Sequence, residues 1–294
     1  MKNKNTLTLT IIANMSANYG EGIGNISQIQ KAYRCGKAYA KRSKESLKNA
    51  IMEQSGLYAD VHVIKDGKVA QKNCDTEHTL ANCTALEAGY MVTIKDMGGR
   101  KRNSSFYLSD AISFIPYTVA AEFHNNLGLA MHSGISDDMT EAGLMPYNYE
   151  NSKDLKAYSF TIHLDRVGVD KNFKLEIPNE EKAERVVALL SAIEHLSLVV
   201  KGSLDNAAPL FVAGGLTKYR GPVLENLVTM DGEKVAITEG LMDEIAANDF
   251  KVAIVDGYFG NNAELKDKLS AESISTFFKN LKEQVKEYYL SSEN

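Results

Sequence analysis

Two stretches of alternating residues, far apart in the chain, most constrain its fold. In the first, Thr6 to Ala13, threonine alternates with leucine before two isoleucines. In the second, Phe160, Ile162 and Leu164 share one face of an extended chain, and the polar residues between them share the other. Alternation with period two and β-branched residues predict a strand in each place. A long irregular segment separates them, which indicates a sheet interrupted by large insertions.

Each of these strands is followed by a segment that predicts a helix. Residues 38–55 form the first, with Gly56 as a plausible C-cap. Asn179 begins the second as its N-cap, and residues 271–290 form an amphipathic third. A Gly-rich loop, 202–215, then leads into another strand, and its "VAGGL" permits either turn chemistry or close approach of a ligand. This order is consistent with an α+β fold built on a ferredoxin-like unit with insertions.

Two segments have the composition of such insertions. Residues 58–123 are irregular, with the turn signal Asp66-Gly67 between two short strands and a Gly-rich basic stretch, "GGRKR", at a predicted tip. Residues 131–155 are polar and rich in turn residues. A loop of this length inside a compact domain is usually functional.

The charge of the chain is unevenly distributed. The net charge is −5, yet the window 31–48 contains seven basic residues and one acid, Glu45. A concentrated basic patch is typical of a polyanion site, although a solvated helix face is the alternative interpretation. No apolar run is long enough for a membrane helix, and the N-terminus lacks the features of a signal peptide. Three cysteines make no disulfide framework, so we expect a cytoplasmic protein.

Five stretches, in this order, resemble one protein family. They are "TLTIIANMSANYG", "GKAYAKRSKESLKNAI", "FHNNLGLAMHSG", "AYSFTIHLDRVGVD" and "ERVVALLSAIEHLSLVVKGSLDNAAPLFV". Each is weak alone, and their order resembles the backbone subunit of type I CRISPR effector complexes (Cascade). More narrowly, the chain resembles the DevR-type, subtype I-B branch of the Cas-seven group.

The resemblance implies a protein that binds RNA without cleaving it and needs no cofactor. Such subunits polymerise head to tail along a CRISPR RNA, displace one base at regular intervals and present the others to target DNA. Their other partners are further Cascade subunits, and no membrane is involved. The resemblance divides the chain into an RRM-like palm (1–57 and 156–294), fingers (58–123) and a thumb (124–155).

The residue types that hold a nucleic-acid backbone are cations and neutral hydrogen-bond donors. We predict RNA contacts from two groups in the N-terminal region and one in the Gly-rich loop: Asn14, Ser16, Asn18, Asn25 and Gln28; Lys37, Lys41, Arg42, Ser43, Lys44 and Lys48; and Lys201, Ser203 and Asn206. Arg100, Lys101 and Arg102 are assigned to a second strand or target DNA, and Met131 and Leu144 to the apolar wedge of the thumb.

Three other functions remain as alternatives. Asp137 or Asp138 with a divalent metal, and His132 as a base, would make a thumb endoribonuclease. Cys74, His78 and Cys83, with His62, would make a zinc site of unusual spacing. A regulatory role is the third, although nothing predicts a helix-turn-helix. The stretch "GEGIGN" resembles a dinucleotide loop, but no helix opens on its last glycine.

Overall fold

The computed structural model describes residues 4–20, 26–94, 98–132, 144 and 146–291 of the protein. In chain order the strands are β1 (Thr6–Ser16), β2 (Ile26–Ser27), β3 (Lys31–Arg34), β4 (Lys37–Arg42), β5 (Val63–Asp66), β6 (Val69–Lys72), β7 (Tyr90–Ile94), β8 (Gly98–Arg102), β9 (Phe106–Leu108), β10 (Ala111–Ser113), β11 (Ala121–His124), β12 (Tyr147–Glu150), β13 (Lys153–His163), β14 (Val169–Asp170), β15 (Leu175–Glu176), β16 (Ser197–Val200), β17 (Ser203–Asn206), β18 (Phe211–Thr217), β19 (Met230–Asp231), β20 (Lys234–Val235), β21 (Lys251–Ile254) and β22 (Glu272–Ser273).

The helices alternate with groups of these strands. They are α1 (Lys44–Gln54), α2 (Leu127–His132), α3 (Asn179–Glu194), α4 (Glu239–Asn248), α5 (Asn262–Leu269) and α6 (Ile274–Leu290), with short 3₁₀ helices at Thr84–Ala88 and Leu164–Arg166. Asn179 is the first residue of α3, and Pro178 occupies the N-cap position that we had predicted for Asn179. The chain is therefore a mixed α+β protein.

A nine-stranded sheet organises the molecule. Its order is β22-β21-β18-β1-β13-β10-β4-β3, with β9 beside β10 on β13. β1 lies at the centre and is antiparallel to both β13 and β18. The two alternating stretches of the sequence are thus direct neighbours, with Thr6 opposite His163 and Ser16 opposite Lys153. Residues 106–113, which we had predicted to lie in the fingers, contribute β9 and β10 to this sheet.

Opposite faces of β1 contribute to different cores. Leu7, Leu9 and Ile11 point into the largest core, under α1, α3 and α6. Ile12 on the other face packs in a second core formed with residues 211–269. Threonine hydroxyls line the rest of that face, and the Thr8 and Thr161 hydroxyls are 3.0 Å apart. Hydrogen bonds between hydroxyls on neighbouring strands satisfy these buried polar groups. The alternation in β1 therefore supplies side chains to the cores on both faces of the sheet.

Gly214 of the "VAGGL" stretch lies in the middle of β18 rather than in a loop. Its φ is +150°, and a Cβ added there would lie 2.0 Å from the backbone oxygen of Thr8. The glycine therefore lets β18 approach β1, and the buried strand leaves it no access to a ligand.

The prediction of one helix over 38–55 was wrong for its first residues. Lys37–Arg42 form β4, which pairs with β3 and β10. A tight turn at Cys35 and Gly36, with φ values of 50° and 74°, joins β3 to β4. The helix begins only at Lys44, because the Ser43 hydroxyl caps it by accepting the Ser46 N–H.

Candidate nucleic-acid interface

Several separate segments meet where β1 ends, at a place we call the junction: residues 14–20, 28–31, 40–43, 148–154 and 201–206. The Ser16 N–H donates to Asp205 Oδ2 at 2.9 Å, and the Ala17 N–H donates to the Ser152 carbonyl at 2.9 Å. Arg42 Nη1 donates to the Ser16 carbonyl at 3.5 Å. The junction thus brings together residues that are far apart in sequence.

Asn18 and Ser43 hold the loop after β1 against the start of α1. Asn18 Oδ1 accepts the Ser43 N–H at 2.7 Å, and the Asn18 carbonyl accepts the Gln30 N–H at 2.8 Å. The Ser43 hydroxyl is engaged in the helix cap. We predicted RNA contacts for both residues, and in the structure these polar groups hold the loop and the helix start in place.

Buried polar groups at the junction are incompletely paired. Asn14 Oδ1 and Arg42 Nε are buried and have no hydrogen-bond partner among the described residues. Burial lowers the pKa of Arg42, and the nearby Asp205 opposes that effect. Burial alone would raise the pKa of Asp205, but hydrogen bonds from Ser16 and Lys153 outweigh it and lower the pKa. Arg42 is only 5% exposed, so its guanidinium contacts other parts of the protein rather than solvent.

Carboxylates neutralise part of the positive charge at the junction. Lys31 pairs with Glu150 at 2.7 Å, and Glu150 also accepts the Ile29 N–H. Lys153 lies 3.1 Å from Asp205, and the buried Lys156 pairs with Asp154. These pairs fix the ends of β12 and β13 beside β1.

Exposed cations remain around the junction. Lys37, Lys44 and Lys201 are exposed, and Lys41 is half-buried with its Nζ 3.3 Å from Asp110. Lys44 begins α1 at the junction, whereas Lys37 lies beside the β3–β4 turn, at the end of β4 away from the junction. The other predicted donors there are exposed or half-buried: Gln28, Ser203 and Asn206.

Lys201 lies at the turn of the β16–β17 hairpin, with φ of 48° followed by Gly202 at 83°. Its Nζ lies 4.7 Å from the centre of the Tyr19 ring and 5.9 Å from that of Tyr149. Burial, with a contribution from Tyr149, raises the pKa of Tyr19 to about 12, so the phenol stays neutral. The sequence analysis missed both tyrosines, although the alternation in "YNYE" is a strand signal.

Lys48 is directed into the protein. Its Nζ donates to the Ala88 carbonyl at 3.3 Å and to Ser104 Oγ at 3.1 Å, and it lies 4.7 Å from the Phe106 ring centre. Burial lowers its pKa to about 8, and repulsion from Lys72 adds to the effect. Lys48, for which we predicted an RNA contact, therefore belongs to the contact between α1 and the inserted segment.

The basic stretch at Arg100 to Arg102 is the strand β8 rather than a loop tip. Lys101 is exposed and Arg100 is half-buried, whereas the Arg102 side chain is only 7% exposed. Arg102 donates to Glu87 at 3.0 Å, and Arg185 donates to the same carboxylate at 3.0 Å. Arg102 therefore joins the base of the inserted segment to α3.

The remaining predictions concern the thumb and the cysteines. Met131 is 71% exposed on α2, and Leu144 is half-buried. Asn25, Asp137 and Asp138 lie outside the described residues, whereas His132 is exposed.

The predicted zinc ligands do not form a metal site. The thiols of Cys74 and Cys83 are buried, and burial raises the pKa of Cys74 to about 11. His78 Nδ1 lies 3.0 Å from Asp75, and its ring stands 4.2 Å from that of His62. Within the described ranges, no three His, Cys, Asp or Glu residues are placed to hold a metal ion.

No helix in the described part of the chain is long and apolar enough to cross a membrane.

Solved structures and a family model resemble this chain. A "CRISPR RNA-guided surveillance complex, pre-nicking" has a chain with a TM-score of 0.59 and 13% identity, covering 94% of this chain and 100% of that one. A chain of a "CRISPR RNA-guided surveillance complex" has a TM-score of 0.58 and 13% identity, and the match covers 95% of this chain and 99% of that one. At this identity the likeness establishes the fold alone. No curated protein matches the sequence.

The family model that matches covers residues 7–233 and describes the "CRISPR-associated negative auto-regulator DevR/Csa2". That range includes all of β1 except Thr6, together with the junction and β18, and it confirms the resemblance found in the sequence. This chain belongs to the DevR/Csa2 family of CRISPR-associated proteins.

Proposed function

We propose that this protein is the guide-RNA-binding backbone subunit of a type I-B-like CRISPR surveillance complex. It polymerises head to tail along the CRISPR RNA through contacts with the RNA backbone and presents the bases to target DNA. It acts with other Cascade subunits in the cytoplasm and does not cleave its RNA. The observation that carries this proposal is the convergence of exposed cations and neutral donors at the junction, within a chain of the DevR/Csa2 family.

The order of the central strands supports an RRM-like palm. β18, β1, β13 and β9 are adjacent and antiparallel. α1 follows β1 and α3 follows β13, and both helices pack on the same face. This strand order and helix placement support the proposal of a ferredoxin-like β-α-β-β-α-β unit. We place the fingers between α1 and β9, and the thumb between β10 and β13.

The cations best placed for RNA phosphates are Lys37, Lys44 and Lys201, because they are exposed and come from three different elements. Lys41, Gln28, Ser203 and Asn206 add donors around them. Neither a cation nor an amide donor distinguishes one base from another when it contacts phosphate or sugar. Binding should therefore be independent of spacer sequence and should weaken steeply with salt.

The test is the variant in which Lys37, Lys44 and Lys201 are all changed to alanine. Anisotropy titrations with two RNAs of unrelated sequence, over a series of salt concentrations, measure the affinity. We expect equal weakening for both RNAs. The slope of log affinity against log salt should fall by about 2, because each neutralised phosphate of a single strand contributes about 0.7.

The matched control changes three exposed lysines remote from the junction, Lys251, Lys279 and Lys286, to alanine. This variant has the same net charge, so it separates local contacts from the overall field. Equal loss of affinity in both variants would contradict the placement of RNA at the junction. Loss for only one RNA sequence would contradict backbone binding.

A further inference from the structure

Four aromatic rings lie together beside the junction, and we call them the aromatic strip: Tyr147, His124, Tyr149 and Tyr19. The ring centres of Tyr147 and Tyr149 are 6.1 Å apart, so these two rings and His124 form one group, and Tyr19 adjoins it at Tyr149. The ring centres are 5.6 Å apart from Tyr147 to His124, 4.4 Å from His124 to Tyr149 and 6.0 Å from Tyr149 to Tyr19. The first three rings are stacked, and Tyr19 meets Tyr149 edge-on. The strip runs from the end of β1 to the β11–β12 hairpin.

The register of β11 and β12 brings three of these rings together. His124 lies opposite Tyr147 on the neighbouring strand, and Glu122 lies opposite Tyr149. Because side chains two residues apart share a face of a strand, these residues all project from one face of the hairpin. Tyr19 then reaches that face from the loop after β1. Lys201 lies next to the strip, with its Nζ over the Tyr19 ring.

The outer rings of the strip are not core residues. Tyr147 is 41% exposed, and the side chain of His124 is 38% exposed. Among the described residues, neither Tyr147 nor Tyr149 belongs to any of the three hydrophobic clusters. Tyr147, His124 and Tyr149 therefore show π surface to solvent without filling a core, whereas Tyr19 packs against the small cluster of Ala17, Ile29 and Ala40. An ordinary packing role does not account for the first three rings.

Stacked aromatic rings next to a cation are the chemistry that holds unpaired bases. Every base has a π face, so stacking on tyrosine or histidine is tolerant of sequence. An exposed lysine beside the rings places a positive charge where the phosphate of the same nucleotide would lie.

We propose that the aromatic strip stacks one or more unpaired bases of the RNA bound at the junction. This proposal rests on the proposed function, and it adds contacts with bases to contacts with the backbone. Tyr147, at the outer end, takes the exposed base, and Lys201 holds the phosphate at the other end. Binding by the strip does not select a sequence, but it requires that bases be present.

The test compares two RNAs of equal length, one normal and one with abasic positions and an intact backbone. We expect the wild-type protein to bind the normal RNA about tenfold more tightly, since stacking of one base has that order of effect. The variant Tyr147→Ala, and the double variant with Tyr149→Ala, should lose this preference and bind both RNAs alike. Tyr147→Phe should retain it, because the ring remains.

Tyr258→Ala is the matched control, because Tyr258 is 43% exposed and belongs to none of the core clusters of the described chain. A wild-type protein that binds both RNAs equally would overturn the strip while leaving backbone binding intact. A wild-type protein that binds neither would overturn the proposed function itself. Retained preference in Tyr147→Ala and in the double variant would also overturn the strip.

Photo-crosslinking gives a second measurement that does not depend on the folding of a variant. RNA with 5-iodouridine at each position in turn is irradiated with the wild-type protein, and the crosslinked residues are identified by mass spectrometry. We expect crosslinks to Tyr147, His124 or Tyr149. Crosslinks confined to tyrosines outside the strip would contradict the proposal.

Discussion

At the scale of single residues, the basic side chains near the junction differ in how far they reach into solvent. Lys37, Lys44 and Lys201 are exposed as a binding role requires, whereas Arg42 and Lys48 are held inside the fold. The difference depends on carbonyl partners such as those of Ser16 and Ala88. Periodicity within one helix or strand cannot reveal such partners, because they lie in other elements of the chain.

Lys48 gives a prediction on the dependence of stability on pH. Burial lowers its pKa to about 8 from the ordinary lysine value of 10.5, so the unfolded chain binds more protons between these two pH values. The free energy of unfolding therefore gains a contribution as pH rises through this window, and the cost of the buried charge is fully present below pH 8.

The matched variant is Lys48→Met, which keeps the length of the side chain and removes its charge. Relative to this variant, the wild-type protein should gain about 2 kcal/mol of stability between pH 7.5 and about pH 10. Urea unfolding at both pH values measures the difference. The same experiment with the exposed Lys44→Met should show no such gain. Parallel curves for wild type and Lys48→Met would contradict the buried charge.

At the scale of elements, local signals predicted type well where one period was clear. The strand predicted at residues 6–13 is Thr6–Ser16 in the structure, and the helix predicted at residues 271–290 is Ile274–Leu290. Both predictions are close because alternation and amphipathicity are unambiguous there. The sequence of residues 37–42, KAYAKR, is compatible with a helix as well as with a strand, because its alanines favour a helix. Only the turn at Cys35 and Gly36, and pairing with the distant β10, decides for the strand.

Gly214 gives a prediction on the pairing of β1 and β18. In Gly214→Ala the new methyl group meets the Thr8 carbonyl, and backbone atoms must separate. We expect a loss of about 3 kcal/mol or more in the free energy of unfolding. Gly99→Ala, where nothing lies within 4 Å, should change it by less than about 0.5 kcal/mol. Urea titration compares the two, and equal stability would contradict the close approach.

At the scale of the whole molecule, the order of elements predicted a mixed α+β fold with insertions. It did not predict the second core, which gathers residues from 211–269 beneath Ile12. These residues come from short helices and strands with weak local signals. It also did not predict the aromatic strip, because β11 and β12 are separated by residues 125–146 and must pair before His124 meets Tyr147.

The thumb gives a prediction on assembly. The variant replaces residues 125–146 by a short Gly-Ser turn. A longer replacement, of residues 131–155, would also remove Lys153, which pairs with Ser16 in the central sheet. His124 and Tyr147 are opposite each other, and such a turn can join them. We expect a folded protein that binds RNA as single copies.

Light scattering after size exclusion, with RNA long enough for several copies, measures the number of copies bound. A thermal unfolding profile like that of the wild type is the control for folding. Multiple copies on the RNA would contradict the role of the thumb in assembly.

The turn that joins β3 to β4 has a practical consequence. Cys35 is exposed there, whereas Cys74 and Cys83 are buried. A maleimide dye should therefore attach at one position in the native, unmutated protein, on a hairpin whose other end reaches the junction. Fluorescence from that dye would report arrival of each subunit on a guide in real time, so the natural chain supplies its own attachment point for single-molecule imaging.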